Sequence, residues 1–132
     1  LDPADTNAPA SDVYVRDMSS ATTHLVSRAS GTGPVGDRAS SSPSLNENGE
    51  FVAFESESTN LDPSATSGGS RVYRRQIDFA AATILVSRRT GANGSPAGGS
   101  EPSIADDGSR IAFTSEPGEA VERRGLGRCR PR

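Results

Sequence analysis

The chain has 132 residues, of which 32% are hydrophobic and 5% aromatic, and its formal net charge is −3. This length fits a single domain, and the low apolar content with 14 Gly and 9 Pro favours short strands and many turns over long helices. No stretch reaches the roughly 20 apolar residues of a membrane-spanning helix. The single cysteine, Cys129, excludes an internal disulfide and, with only one histidine, a site built from soft metal ligands.

The chain begins with a polar loop, residues 1–12, that contains its candidate metal ligands. Asp5, Asn7 and Asp12 supply closely spaced carboxylate and amide oxygens, the ligand type that hard cations such as Ca²⁺ prefer. An ordinary Asx-turn loop explains the same residues, and the equivalent later loop, 62–66, keeps only one carboxylate. Calcium is therefore a hypothesis at this loop, and no other cofactor is predicted.

Two short strands and then a hairpin signal follow the first loop. The hairpin segment, 42–54, contains Asn48-Gly49, which predicts a type I′ turn because both residues tolerate positive φ. The residues after the turn are rich in β-branched and aromatic side chains, which indicates a strand. We therefore expect one β-hairpin here.

The hairpin segment is written twice. It recurs 59 positions later as 101–113, with its proline, its glycine and its final phenylalanine in register. A fixed long period is the signature of a repeat architecture. Eight strands are predicted from the two copies and their flanks: 12–17, 22–28, 43–46, 51–56, 71–76, 82–88, 102–105 and 110–115.

Four antiparallel strands in a period of about 60 residues correspond to a large propeller blade. The sequence therefore predicts an all-β fold, a partial β-propeller in which one complete four-stranded antiparallel blade, 42–100, is flanked by half blades at 11–41 and 101–116. These blades make up a repeat segment, 1–116. The last ten residues, 123–132, hold five arginines and no acidic side chain, and we expect 117–132 to form a basic, disordered tail.

One sequence pattern of the repeats is similar to that of a known family. Ser-Pro-Ser-x-x-x-x-Gly-x-x-Val-Ala-Phe-x-Ser, with Asn-Leu-x-Pro and Asp-Val-Tyr-Val-Arg-Asp segments, resembles the TolB-type, WD-repeat-like β-propeller repeats of bacterial envelope and secreted proteins. The resemblance covers residues 1 to about 116 and implies that the chain is a fragment of a larger propeller. It also implies a periplasmic or secreted location and a propeller face that binds a protein or a polymeric ligand. Further partners would be the remaining blades, or self-association at exposed strand edges.

Three functions are open to such a fragment. We favour a non-catalytic binding or scaffold module, because no Gly-x-Ser-x-Gly nucleophile signature occurs and the histidine has no acid–base constellation. The alternatives are the gating propeller of a larger hydrolase or peptidase whose catalytic domain is absent, and a calcium-stabilised carbohydrate-binding module. Nucleic-acid binding is not predicted, because the body is acidic and the basic tail lacks interleaved aromatic residues.

Overall fold

The structure is a computed structural model that describes residues 1–78 and 81–116. In these residues the regular secondary structure consists of β-strands, and no helix is present. The eight strands are β1 (Tyr14–Asp17), β2 (Thr22–Leu25), β3 (Ser40–Leu45), β4 (Phe51–Ser56), β5 (Arg71–Gln76), β6 (Thr83–Leu85), β7 (Ser100–Ile104) and β8 (Ile111–Thr114). The predicted tail, 117–132, lies outside the described residues.

The strands form three antiparallel sheets. A four-stranded sheet has the order β3-β4-β5-β6, and the pairs β1-β2 and β7-β8 each form a two-stranded sheet. The prediction of an all-β fold with a four-stranded antiparallel sheet is therefore confirmed for the described residues. No helix long and apolar enough to cross a bilayer occurs in this part of the chain.

Four strands, β1, β2, β6 and β8, are shorter than predicted, and the largest differences are at β2 and β6. β2 and β6 each end three residues before the predicted ends at 28 and 88. The backbone bends at these points, because the amides of Val26 and Ser27 both turn toward one acceptor, the carbonyl of Val13, at 2.8 and 3.4 Å. The same bend recurs around the carbonyl of Val72 after β6.

The two copies of the hairpin match in backbone conformation as well as in sequence. In both, a residue other than glycine takes a positive φ at a bulge before the repeated proline: Ser42 at 57° and Glu101 at 53°. The turns after β1 and β5 match in the same way, with Ala21 at 59° and Ala81 at 48°. The sequence period is therefore a structural period.

The hairpin turns differ from the type I′ prediction. Gly49 and Gly108 have φ values of 76° and 79°, but Asn48 and Asp107 do not share the positive φ that a type I′ turn requires. Their side chains explain this, since the Oδ1 atom of Asn48 accepts the N–H of Glu50 at 3.0 Å and Asp107 makes the equivalent bond. These Asx bonds build a wider turn with only the glycine in the left-handed region.

The hydrophobic core is small and joins the β1-β2 sheet to the four-stranded sheet. Its centre is the pair Phe54 and Tyr73, whose rings stack with centroids 5.8 Å apart and which are both 0% exposed. The other buried members are Val13, Val26, Val52, Leu61, Ala65 and Leu85. Strand β7 packs against β3, β4 and β5 from the third sheet. Both hairpin turns of the four-stranded sheet lie at one end, called here the turn end, and the loop 57–70 lies at the other.

The equivalent residues Phe54 and Phe113 test the asymmetry of this core, because only Phe54 is fully buried. Phe54→Ala should lower the free energy of unfolding by about 3–5 kcal/mol, since it removes the stacked ring and leaves a cavity. Phe113→Ala should lower it by less than half as much, because that ring is partly exposed. Urea denaturation followed by circular dichroism measures both values. Equal losses would contradict the described core.

Candidate functional site

The three predicted metal ligands come together in the structure. The Nδ2 atom of Asn7 donates to Oδ1 of Asp12 at 3.2 Å and to the carbonyl of Gly36 at 2.7 Å. Asp5 lies close enough to interact electrostatically with Asp12, and its Oδ2 atom accepts the hydroxyl of Tyr14 at 2.5 Å. We call Asp5, Asn7 and Asp12 the oxygen cluster. All three side chains are half-buried.

Two oxygens of the cluster are buried without a hydrogen-bond partner among the described residues. They are Oδ1 of Asn7 and Oδ2 of Asp12. A buried oxygen without a donor loses the hydration it would have in the unfolded chain, so such atoms call for an explanation. No group of three or more carboxylate, imidazole or thiol side chains that could hold a metal occurs in residues 1–78 and 81–116. A hard cation here would therefore need the amide oxygen of Asn7 beside the two carboxylates, and this donor set fits calcium.

The electrostatics of the cluster disfavour its negative charges. Burial raises the pKa of Asp12, and the neighbouring charge of Asp5 raises it further, against the lowering effect of hydrogen bonds from Ser27 and Asn7. Burial and the Asp5 carboxylate likewise raise the pKa of the Tyr14 hydroxyl. Two carboxylates held close in a partly buried loop repel each other, and a bound cation would relieve that repulsion.

The second period shows what the loop looks like without the cluster. Ala65 stands at the position equivalent to Asp5, and Arg71 stands at the position of Asp12. The Nη2 atom of Arg71 donates to the hydroxyl of Ser67 at 2.8 Å, so a fixed positive charge lies in this loop. Asp62, the remaining carboxylate, accepts the amides of Ser64 at 2.8 Å and Leu85 at 3.1 Å. The second loop therefore offers no cation site and is a structural turn.

The repeated Ser-Arg pairs after β2 and β6 brace the backbone. The Nε atoms of Arg28 and Arg88 donate to the carbonyls of Gly33 and Gly94 at 2.9 and 2.8 Å, within the loops that follow each strand. By its repetition alone, the Ser-Arg pattern fits either two arginines that bind an anionic partner or solvated surface charges. The structure shows instead that each arginine, half-buried, closes its own loop.

A groove of about 850 Å³ opens at the turn end, between the β1–β2 hairpin and the turn after β3. Two of its apolar lining residues are exposed: Met18 is 82% and Leu45 is 51% accessible. Its charged and titratable lining residues are Arg16, Asp17, His24, Glu47, Glu50 and Asp78. Four carboxylates against one guanidinium make the groove acidic. The groove thus combines two exposed apolar side chains with an acidic lining.

Asp17 keeps its negative charge even in acid. Hydrogen bonds from the hydroxyl and amide of Ser19 and from the amide of Ser20 lower its pKa to about 2. Glu50 is anchored on the opposite side, where Gln76 donates to its Oε2 atom at 3.2 Å. His24 stands at the position that Ile84 occupies in the second period, which indicates surface or core filler and not a ligand. Its Nε2 atom lies 3.4 Å from the Thr22 hydroxyl in the groove wall.

Sequence reasoning missed the groove and the buried serines. Glu47 and Asp78 belong to separate turns, and only the pairing of β3, β4 and β5 brings those turns to one end. The serines had a visible signal, because Val-Ser-Arg follows β2 and β6 in both periods. Ser27 accepts the amide of Val13 at 3.0 Å. Its equivalent in the second period makes the same bond.

The comparisons with known proteins add no family assignment. No protein-family model matches the chain, and no curated protein matches it. The function is therefore argued from the residues and their geometry.

Proposed function

We propose that the chain is a non-catalytic binding module built from propeller-type blades, and that it holds a polypeptide ligand in the groove at the turn end. The blade interpretation draws support from the repeated register of the hairpins β3–β4 and β7–β8, including the equivalent bulges at Ser42 and Glu101. A four-stranded antiparallel meander flanked in the chain by two half-sheets is the pattern that successive blades produce.

The single observation that carries the binding role is the acidic, partly apolar groove. Its exposed apolar residues, Met18 and Leu45, offer contacts to aliphatic side chains of a ligand. Its acidic residues, Glu47 and Asp78 among them, favour a ligand with basic side chains. An extended peptide that alternates basic and apolar residues combines both features, so the proposed ligand is a basic, amphipathic protein segment.

Fluorescence anisotropy with a labelled nonapeptide of alternating arginine and leucine tests this proposal. The full chain should bind the peptide, and binding should weaken as salt rises. Glu47→Gln combined with Asp78→Asn should weaken binding about tenfold, because two exposed charge pairs are each worth up to about 1 kcal/mol. The control, Glu57→Gln with Glu116→Gln, removes the same charge from exposed residues outside the groove and should leave binding unchanged.

Two results would overturn the groove as the binding site. One is equal weakening by both double variants, which would mean that only net charge matters. The other is equal binding of a nonapeptide that alternates glutamate and leucine, because an acidic groove must repel it.

A second role is favoured by the oxygen cluster. The two buried, unpartnered oxygens of Asn7 and Asp12 support calcium binding at this loop, with Asp5 as the second carboxylate. Calcium would neutralise the repulsion between Asp5 and Asp12 and tie the loop to Tyr14. The cation would then stabilise the β1-β2 sheet. The polypeptide groove is a separate feature at the turn end.

Thermal unfolding with and without calcium tests the second role. Calcium should raise the melting temperature of the wild-type chain, because a ligand at one hundred times its dissociation constant stabilises by about 2.7 kcal/mol. Asp12→Asn should abolish the rise. The matched control is Asp62→Asn in the equivalent loop of the second period, which should lower the melting temperature without calcium and keep the calcium response. No calcium response in the wild-type chain would remove this role.

A further inference from the structure

Six of the eight described strands have one unpaired edge, and β1 and β8 are two of them. Among residues 1–78 and 81–116, β1 pairs only with β2 and β8 pairs only with β7. An unpaired edge exposes a row of backbone donors and acceptors and is a template for another strand. The strand that pairs with each edge can be inferred from the strand pairing elsewhere in the chain.

The β4–β5 pair of the four-stranded sheet is the template for pairing at these edges. β8 is the equivalent of β4, since Ala112 pairs with Ser103 as Ala53 pairs with Ser44. β1 is likewise the equivalent of β5, because Tyr14 pairs with Leu25 as Tyr73 pairs with Leu85. Within the four-stranded sheet β4 and β5 are antiparallel neighbours. β8 and β1 are thus equivalent to two strands that pair with each other, but they do not pair within the described chain.

The β4–β5 register can be transferred to β8 and β1 residue by residue. The central pair in the template is Phe54 opposite Tyr73, with stacked rings. The transferred pair is Phe113 opposite Tyr14, the same two residue types. Both of these rings are only partly buried in the described chain. Pairing would let them form the stack that holds the template together.

The neighbouring pairs are also compatible. Val52 opposite Arg75 in the template becomes Ile111 opposite Arg16, again a β-branched side chain facing a guanidinium. At the end of the strands the template pairs Phe51 with Gln76, which are both uncharged. The transferred register places Arg110 opposite Asp17. Both of these residues are exposed and carry opposite charges.

We propose that this chain assembles with further copies of itself by adding β8 of one copy to β1 of the next, in the register that pairs β4 with β5. The occupant of each edge is a second copy, because the residue types and the Arg110–Asp17 charges fit this register. Each copy gives one edge and receives the other, so the interface is heterologous. Every junction then completes a four-stranded sheet from two half-sheets.

The size of the assembly follows from the proposed blade architecture, on which this step rests. Residues 1–78 and 81–116 of each copy hold eight strands, the content of two blades. A heterologous interface closes into a ring when its rotation allows, and propellers close with about four to eight blades. On the eight strands of these described residues, the expected assemblies are rings of about two to four copies.

Sedimentation velocity of the complete 132-residue chain over a range of concentrations tests the pairing, with circular dichroism as the control for folding. The wild-type chain should associate. Arg110→Glu and Asp17→Arg should each weaken association about threefold to tenfold, because each places like charges opposite one another. The control Arg89→Glu makes the same change of charge at an exposed loop residue and should leave association unchanged.

The double variant, which combines the two charge reversals, is the strongest test of the proposed register. A chain carrying Arg110→Glu and Asp17→Arg together should associate like the wild type, since each junction again joins opposite charges. An equimolar mixture of the two single variants should also regain association, as each β8 then meets a complementary β1. Pairing of β1 with β1 would not respond to Arg110→Glu, because Arg110 adjoins β8 and lies outside such a junction.

Three outcomes would overturn the proposal. The first is a wild-type chain that stays monomeric, as it would if another segment of the same chain covered β8. The second is association that the single charge reversals leave unchanged. The third is failure of the double variant to recover while it remains folded. The groove is tested separately through Glu47 and Asp78, because Asp17 lines the groove as well as the proposed junction.

Discussion

The structure depends on buried serines whose hydroxyls are bonded to the backbone and to each other. Fully buried residues include Ser27, Ser40, Ser56, Ser58 and Ser87. A buried hydroxyl without a partner costs free energy, so a chain with few large apolar residues must satisfy each one. Ser40 donates to Ser56 at 2.8 Å, and Ser58 donates to the carbonyl of Arg38 at 3.0 Å. These bonds position the long loops relative to the strands.

Arg75 ties the first period to the second. Its guanidinium is 6% exposed and donates to the carbonyls of Ala29 and Gly31 at 3.0 and 2.7 Å, and to the Thr83 hydroxyl at 2.8 Å. Burial lowers its pKa to about 10, and the charge of Arg28 contributes. The loop after β2 is thereby held against β5 and β6. The oxygen cluster depends on the same framework, because Ser27 donates to Asp12 at 2.7 Å.

Local sequence signals predicted the fold better than the site. Strand identity and order followed from the period and from β-branched residues such as those of β4, where the predicted and observed bounds agree. The turn type was wrong, because the Asn48 side chain binds the backbone instead of allowing a positive φ at both central residues. The oxygen cluster was predictable, since its members lie within one loop. The groove was not, because Glu47 and Asp78 meet only through strand pairing.

Backbone amide exchange at Val13 and Val72 measures the central constraint most directly. Both amides donate to a buried serine hydroxyl at 3.0 Å, and Val13 lies outside the strands. In the native state both amides should exchange as slowly as those of β4, and Ser27→Ala should accelerate exchange at Val13 while Val72 stays protected. Exchange of Val13 at the rate of an exposed loop in the wild-type chain would contradict the role assigned to the buried serines.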